Sequence, residues 1–310
     1  MMGATLRIGV DLGGTKIEAV ALQADGRERW RQRVPTPAGS YEETVAAVAS
    51  LVRAAPRASG EAVTVGVGTP GSADPVSGLH RNANSTCLNG RPLRQDLERA
   101  LGMAVAAAND ANCFALSEAV DGAGAGAKCV FGVILGTGCG GGVVVDAHAL
   151  DGANLVAGEW GHLRMPGVGD RDPEAVPCYC GRTGCVETFL SGPALEARYR
   201  RMKGSHAALP EVEARRAAGE PEARELMAWY AAALGRALSV VVHVVDPDAI
   251  VLGGGVSNLP WLAEALPAAI SPLVFGVVFR TPVRRALHGD SSGVRGAAWL
   301  PALSRSGPRP

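Results

Sequence analysis

Net charge is the first thing this chain lacks: its 310 residues hold 30 Lys and Arg against 30 Asp and Glu. Without a positive excess there is no electrostatic footprint for nucleic acid or an anionic membrane, and neither is expected as a partner. No apolar run reads as long enough to cross a bilayer, and the N-terminus shows no signal-peptide pattern. An even set of cysteines is missing too. There are 7, and three of them fall between Cys178 and Cys185. That argues against a disulfide framework and for reduced thiols with a metal site, hence a cytoplasmic location. The run Gly-x-x-x-x-Gly-Lys-Ser/Thr is also absent, which excludes a P-loop. Gly136-x-Gly138-x-x-Gly141 matches the dinucleotide fingerprint in letters, but Val143-Val144-Val145 reads as strand where that fingerprint needs a helix.

What is present suits a globular enzyme: 47% hydrophobic and 19% charged residues, in a length that favours two domains. Residues 6–22 read as strand, Gly-Gly turn, strand, and Asp25-Gly26 turns into a third strand ending near Val34. A helix is predicted over 41–55 and a buried strand over 62–68. The grammar recurs with a strand over 129–135, a glycine-rich turn over 136–142 and a returning strand over 143–146. A long helix over 225–245 and a strand over 249–252 ending in Gly253-Gly254-Gly255 follow. Two halves that each open on a glycine-turned hairpin predict a duplicated α/β architecture. The tail over 304–310 is expected to fray.

Glycine admits anions to backbone N–H groups because no Cβ intervenes and positive φ is allowed. Gly13-Gly14-Thr15-Lys16 and Gly136-Thr137-Gly138 each add a hydroxyl. Either alone could be a plain hairpin turn; two in equivalent places, with Gly253 to Gly255 closing a strand, favour a nucleotide. Asp110 falls where an apolar strand end meets a helix. The pattern favours an N-cap, and a general base for a hydroxyl being phosphorylated is the functional alternative; chemistry alone does not decide between them. His162, Cys178, Cys180 and Cys185 make a Cys₃His set with the makeup of a structural zinc site, around which Gly181 and Gly184 let the chain wrap. With all four ligands from protein, such a metal would organise a loop, bracing the nearby Glu159.

These residues, with Asn109-Asp110, Glu159-x-Gly-His162, the zinc motif ending at Glu187, and Leu252-Gly-Gly-Gly255, resemble the ROK family in order and spacing over nearly the whole chain. The longer stretches 82–90, 109–113, 117–122 and 288–299 resemble its bacterial fructokinase (manno(fructo)kinase) branch. The resemblance implies an actin/hexokinase-like, ribonuclease H-like duplicated α/β fold of two domains with the active site in a cleft. The first domain would span 1–115, completed by a helix over about 293–303, and the second 116–292. It implies ATP, Mg²⁺ and structural Zn²⁺ as cofactors, a hexose substrate with fructose favoured, and a homodimer. By position, Asp110 would be the base. Asn84, Asn109, Asp110, Glu159, His162 and Glu187 would hold the sugar. Gly13, Gly14, Thr15, Lys16, Gly136, Thr137 and Gly138 would hold phosphates, with Asp11 near Mg²⁺ and Gly253, Gly254 and Gly255 near adenosine. Cys87 stands where such relatives commonly carry Trp, which bears on sugar selectivity.

Three rivals remain at this level. A sugar-sensing repressor would carry a helix-turn-helix ahead of Asp11, where only ten residues stand. A kinase for glucose, mannose or N-acetylglucosamine differs by a few side chains reading one hydroxyl. A non-catalytic binder fits poorly with both phosphate turns and Asp110.

Overall fold

The computed structural model describes residues 5–37, 39–169, 175–276 and 278–303; the 304–310 tail lies outside them. The strands are β1 (Thr5–Leu12), β2 (Lys16–Leu22), β3 (Glu28–Pro35), β4 (Ala62–Thr69), β5 (Ser72–Ala73), β6 (His80–Arg81), β7 (Val105–Asn109), β8 (Cys129–Leu135), β9 (Cys139–Val145), β10 (His148–Ala149), β11 (Ala249–Gly253) and β12 (Val283–Arg285). The helices are α1 (Tyr41–Ala54), α2 (Leu93–Leu101), α3 (Asp110–Val120), α4 (Glu187–Leu190), α5 (Gly192–Lys203), α6 (Leu209–Ala217), α7 (Pro221–Val245), α8 (Leu262–Ile270) and α9 (Ser292–Leu303).

Two five-stranded sheets carry the fold, ordered β3-β2-β1-β4-β7 and β10-β9-β8-β11-β12. The orders match strand for strand, so the duplicated grammar of the sequence is a duplicated topology. In the first sheet β1 pairs antiparallel with β2, from Arg7 opposite Leu22 to Leu12 opposite Ile17, while β4 and β7 run parallel to β1. The alternate residues Leu6, Ile8, Val10 and Leu12 are all buried, as the period-2 pattern requires.

The chain divides into two compact units. Unit 1 holds Met1–Gly126, Gly142–Ala157 and Leu287–Pro310; unit 2 holds Ala127–Gly141 and Gly158–Ala286. In unit 1, α1 packs on β1 and β2 and α2 packs on α1 and β7, with Val48, Leu51, Val52 and Leu97 in the core. α9 packs on α3, β1 and β4. That approach needs glycine at three points. A Cβ on Gly9 would stand 2.1 Å from Val294 O, one on Gly66 1.9 Å from Ala297 O, and one on Gly296 1.7 Å from Cys113 O.

In unit 2, α7 buries Tyr230, Leu234 and Leu238 and packs against α5, α6 and α8. It begins at Pro221, four residues before the sequence suggests, because Pro fits the first turn of a helix. At 25 residues α7 is long and apolar enough to cross a membrane by length and composition, which corrects the expectation that no such run exists. Half of its most apolar window is buried in the fold. Packing against several neighbouring helices accounts for that composition. β9 likewise starts earlier than expected, at Cys139, so Gly140, Gly141 and Gly142 are strand rather than turn. Their role is close approach: a Cβ on Gly141 would meet Trp160 at 2.7 Å, and one on Gly142 would meet Ala111 O at 2.8 Å.

Candidate active site

Unit 1 gathers the first glycine turn and the two aspartates Asp11 and Asp110. The hairpin closes with Gly13 N–H donating to Lys16 O at 3.0 Å, and Thr36 Oγ1 donates to Gly13 O at 2.7 Å. Neither Gly13 nor Gly14 has positive φ. Their glycine character serves close approach instead, since a Cβ on Gly13 would stand 2.8 Å from Lys16 O. The loop carrying Asn84 borders the turn, with Ser85 Oγ 3.4 Å from where a Gly14 Cβ would be. Asn84 is exposed there. Asn89 pins the same loop, accepting from Ala83 N at 2.9 Å and donating to Ala83 O at 3.0 Å. Cys87 packs against the unit 1 core.

Asp11 is the last residue but one of β1 and lies opposite Glu18, which is 2% exposed and paired with Arg31 and Arg33. Burial, then the charges of Asp110 and Glu18, push the Asp11 carboxyl up to about 6. The structure thus brings Asp11 and Asp110 within electrostatic reach. It also divides the two readings of Asp110. The cap of α3 is Asn109, whose Oδ1 accepts from Ala111 N at 2.9 Å, and Asp110 is the first residue of the helix. Asn109 Nδ2 donates to Gly71 O at 3.1 Å. One amide hydrogen of Asn109 remains beyond these two fold-holding contacts.

In unit 2 the second turn is built on Gly136 N–H donating to Gly138 O at 2.9 Å. The neighbouring Cys139 N–H donates to Glu187 Oε2 at 3.0 Å. Gly136 and Gly138 also lack positive φ. A Cβ on Gly138 would fall 2.6 Å from Glu187 Oε2, so this glycine admits a carboxylate of its own chain. Gly254 does need glycine conformation, with φ +79° and a Cβ position 2.4 Å from Leu135 O. Gly253 ends β11 and Gly255 opens a short 3₁₀ turn. Glu159 and His162 flank Trp160-Gly161, which is fixed to β9: Trp160 Nε1 donates to Gly140 O at 2.7 Å, and a Cβ on Gly161 would stand 1.9 Å from Cys139 O.

The four cluster residues come together as the sequence predicts. One donor atom from each of His162, Cys178, Cys180 and Cys185 lies within 4.8 Å of all the others. Cys178 Sγ is 3.6 Å from His162 Nδ1, and Cys180 Sγ is 3.6 Å from Cys185 Sγ. A tetrahedron with Zn–S of about 2.3 Å and Zn–N of about 2.0 Å has edges of roughly 3.5–3.8 Å, so the set fits zinc. Gly181 and Gly184 sit at φ +85° and +74°, the left-handed turns that close the loop. Sequence reading missed Tyr179: its hydroxyl is 3.0 Å from His162 Nε2, leaving Nδ1 as the cluster's donor.

Two cavities of unit 2 share Thr137. One, of about 730 Å³, is lined by Gly136, Thr137, Gly255 and the apolar Pro193, Leu209, Pro210, Val256 and Leu259. The other, of about 380 Å³, includes Cys178, Tyr179, Glu187 and Arg198, whose guanidinium stacks 3.8 Å over Trp229. Scattered apolar residues such as Leu209 and Val256 carry no sequence signal for this lining.

Paired sheets of matching order, each with a glycine turn after its first strand, define an actin/hexokinase-like protein. The model of the ROK family matches residues 7–303. Over 298 residues the chain is 39% identical to the N-acetyl-D-glucosamine kinase of Pectobacterium atrosepticum, covering 94% of this chain and 97% of that one. It is 40% identical over 297 residues to the N-acetyl-D-glucosamine kinase of Photobacterium profundum, covering 94% and 98%. The crystal structure of a ROK hexokinase from Thermus thermophilus superposes with a TM-score of 0.84 at 35% identity, covering 95% and 97%. A ROK glucokinase from Streptomyces griseus, in complex with glucose and AMPPNP, superposes at 0.75 with 29% identity, covering 97% and 100%. This chain belongs to the ROK family, as a sugar kinase.

Proposed function

We propose that the chain is an ATP-dependent kinase for N-acetyl-D-glucosamine, phosphorylating one of its hydroxyls. The observation that supports this reading is its 39% and 40% identity, over nearly the full length, to the two N-acetyl-D-glucosamine kinases. The fructose preference expected from the longer sequence stretches lacks that support and is replaced here.

In this reading Asp110 accepts the hydroxyl proton as the sugar oxygen bonds to the γ-phosphorus and the bond to ADP breaks. The Asp11 and Asp110 carboxylates lie in one electrostatic neighbourhood, which suits a base beside a Mg²⁺-binding group. Mg²⁺ held near Asp11 would offset phosphate charge. Thr15, Lys16 and Thr137 with their glycines bind phosphates, and the cavity beside Gly255 takes adenosine between Leu209, Pro210 and Val256. Asn84, Asn109, Glu159 and Glu187 hold the sugar; His162, expected there too, has Nδ1 against the cluster and Nε2 against Tyr179 and serves the metal instead. Zinc on His162, Cys178, Cys180 and Cys185 keeps the Glu159 and Glu187 segments in place, and the chain works as a homodimer.

An ADP-release assay with N-acetylglucosamine, glucose, mannose and fructose tests the substrate. The expected result is the highest kcat/KM for N-acetylglucosamine, by about tenfold or more, because a site built for the acetamido group leaves buried partners unpaired without it. A higher value for fructose would return the chain to the fructokinase branch.

A further inference from the structure

We propose that Glu187 couples metal occupancy of the Cys/His cluster to nucleotide affinity by holding the 136–138 turn in shape. This rests on the reading that the turn binds phosphates.

The segment that follows the cluster touches the turn twice. Glu187 lies two residues after the ligand Cys185 and opens α4. Thr188 fixes that junction, its Oγ1 donating to Cys185 O at 2.8 Å. From there Glu187 Oε2 accepts from Cys139 N at 3.0 Å, immediately after Gly138. The other oxygen, Oε1, is 4.0 Å from Cys178 Sγ, another cluster member. At the far end of α4, Gly192 N–H donates to Gly136 O at 2.8 Å. A Cβ on Gly192 would stand 3.3 Å from the same oxygen, a tight contact. The turn is therefore held at Gly136 and at Cys139 by one short stretch whose start is a cluster ligand.

A metal bound by Cys178 and Cys185 fixes both neighbours of the Glu187 carboxylate. Without it, Cys185 and the start of α4 are free to shift, and Cys139 N–H loses its charged acceptor. Charge-assisted bonds of this kind are the strong ones. Linkage then requires reciprocity: the factor by which metal raises nucleotide affinity is the factor by which nucleotide raises metal affinity.

The test measures both sides on the full chain. Calorimetry gives the Kd of a non-hydrolysable ATP analogue with zinc-loaded and zinc-free protein, and chelator competition gives the zinc Kd with and without the analogue. Both ratios should equal each other, at about tenfold or more. Glu187→Gln, which keeps an oxygen for Cys139 N–H, should retain the coupling, and Glu187→Ala should abolish it while zinc still binds. Equal nucleotide affinity in loaded and zinc-free protein overturns the proposal, as does coupling that survives Glu187→Ala. Should zinc-free protein fail to fold, Gly138→Ala in loaded protein decides: it displaces the carboxylate, so nucleotide affinity must fall about tenfold at full zinc content. An unchanged Kd there overturns the coupling. No analogue binding to any form would instead overturn the assignment of the turn to phosphates.

Discussion

Cys180 Sγ and Cys185 Sγ stand 3.6 Å apart, well beyond a disulfide and at the edge length of a zinc tetrahedron. The purified chain is therefore expected to hold about one zinc. Cys180→Ser, which removes one of four ligands, should lower zinc content sharply. Elemental analysis decides, and active wild type without zinc would refute the assignment.

Tyr179 is placed to orient His162 rather than to join the cluster. Its ring meets His162 edge to face at 5.1 Å, and its hydroxyl occupies Nε2. Outer partners of this kind typically contribute about 10–100-fold to metal affinity. Tyr179→Phe keeps the ring contact and should weaken zinc binding within that range by chelator competition. Unchanged zinc affinity would leave Tyr179 without an orienting role.

Gly296 tests the seat of α9. With its Cβ position 1.7 Å from Cys113 O, Gly296→Ala must push α9 off α3. Overpacking costs about 1–3 kcal/mol or more. Gly169→Ala, with nothing among the described residues within 4 Å of its Cβ position, is the control and should be close to neutral. Denaturant midpoints compare the two, and equal midpoints would show that α9 tolerates the methyl group.

Asp11 should make metal-free stability fall with rising pH. Its carboxyl is raised from 3.8 to about 6 by burial first, then by Asp110 and Glu18. Between those values the native state binds a proton that the unfolded chain has released, so stability drops as pH rises through that window and levels off above it. Asp11→Asn should flatten that slope and, in metal-free protein at neutral pH, be the more stable form. Urea titrations across that window check this; a slope unchanged by the substitution would place the titrating group elsewhere.

Much of the fold was legible because its signals are local. The period-2 run of Leu6, Ile8 and Val10 and the turn at Gly13-Gly14 are contained in a few residues, and the halves repeat them. The Cys₃His cluster was legible because few other arrangements use those side chains together. What escaped depends on distant partners. Gly138 reads in sequence only as room for phosphate, and its contact with the Glu187 carboxylate, far along the chain, shows only in the structure. Gly9, Gly66 and Gly296 look unremarkable in sequence, yet each marks a contact of α9. Sugar identity is hard to read for the same reason, since discrimination among hexoses turns on a few side chains.

The assignment of Asp110 can be isolated because the structure moves the cap to its neighbour. Asn109 Oδ1 caps α3, while Asp110 Oδ1 accepts from Ala111 N at 2.8 Å. Asn at position 110 keeps that oxygen and nearly the same shape, so Asp110→Asn should leave stability close to wild type. Asn109→Ala should instead cost about 0.5–2 kcal/mol, the usual loss of a cap. The chemical consequence runs the other way. An amide cannot take the proton of the attacking hydroxyl, and losing a positioned base costs about 10²–10⁴-fold in rate. Sugar affinity should change little, because the side chain keeps its size and an acceptor oxygen. Calorimetric titration with N-acetylglucosamine beside steady-state kinetics separates these outcomes. Turnover within a few-fold of wild type would remove the base from Asp110 and make Glu159 the next carboxylate to substitute.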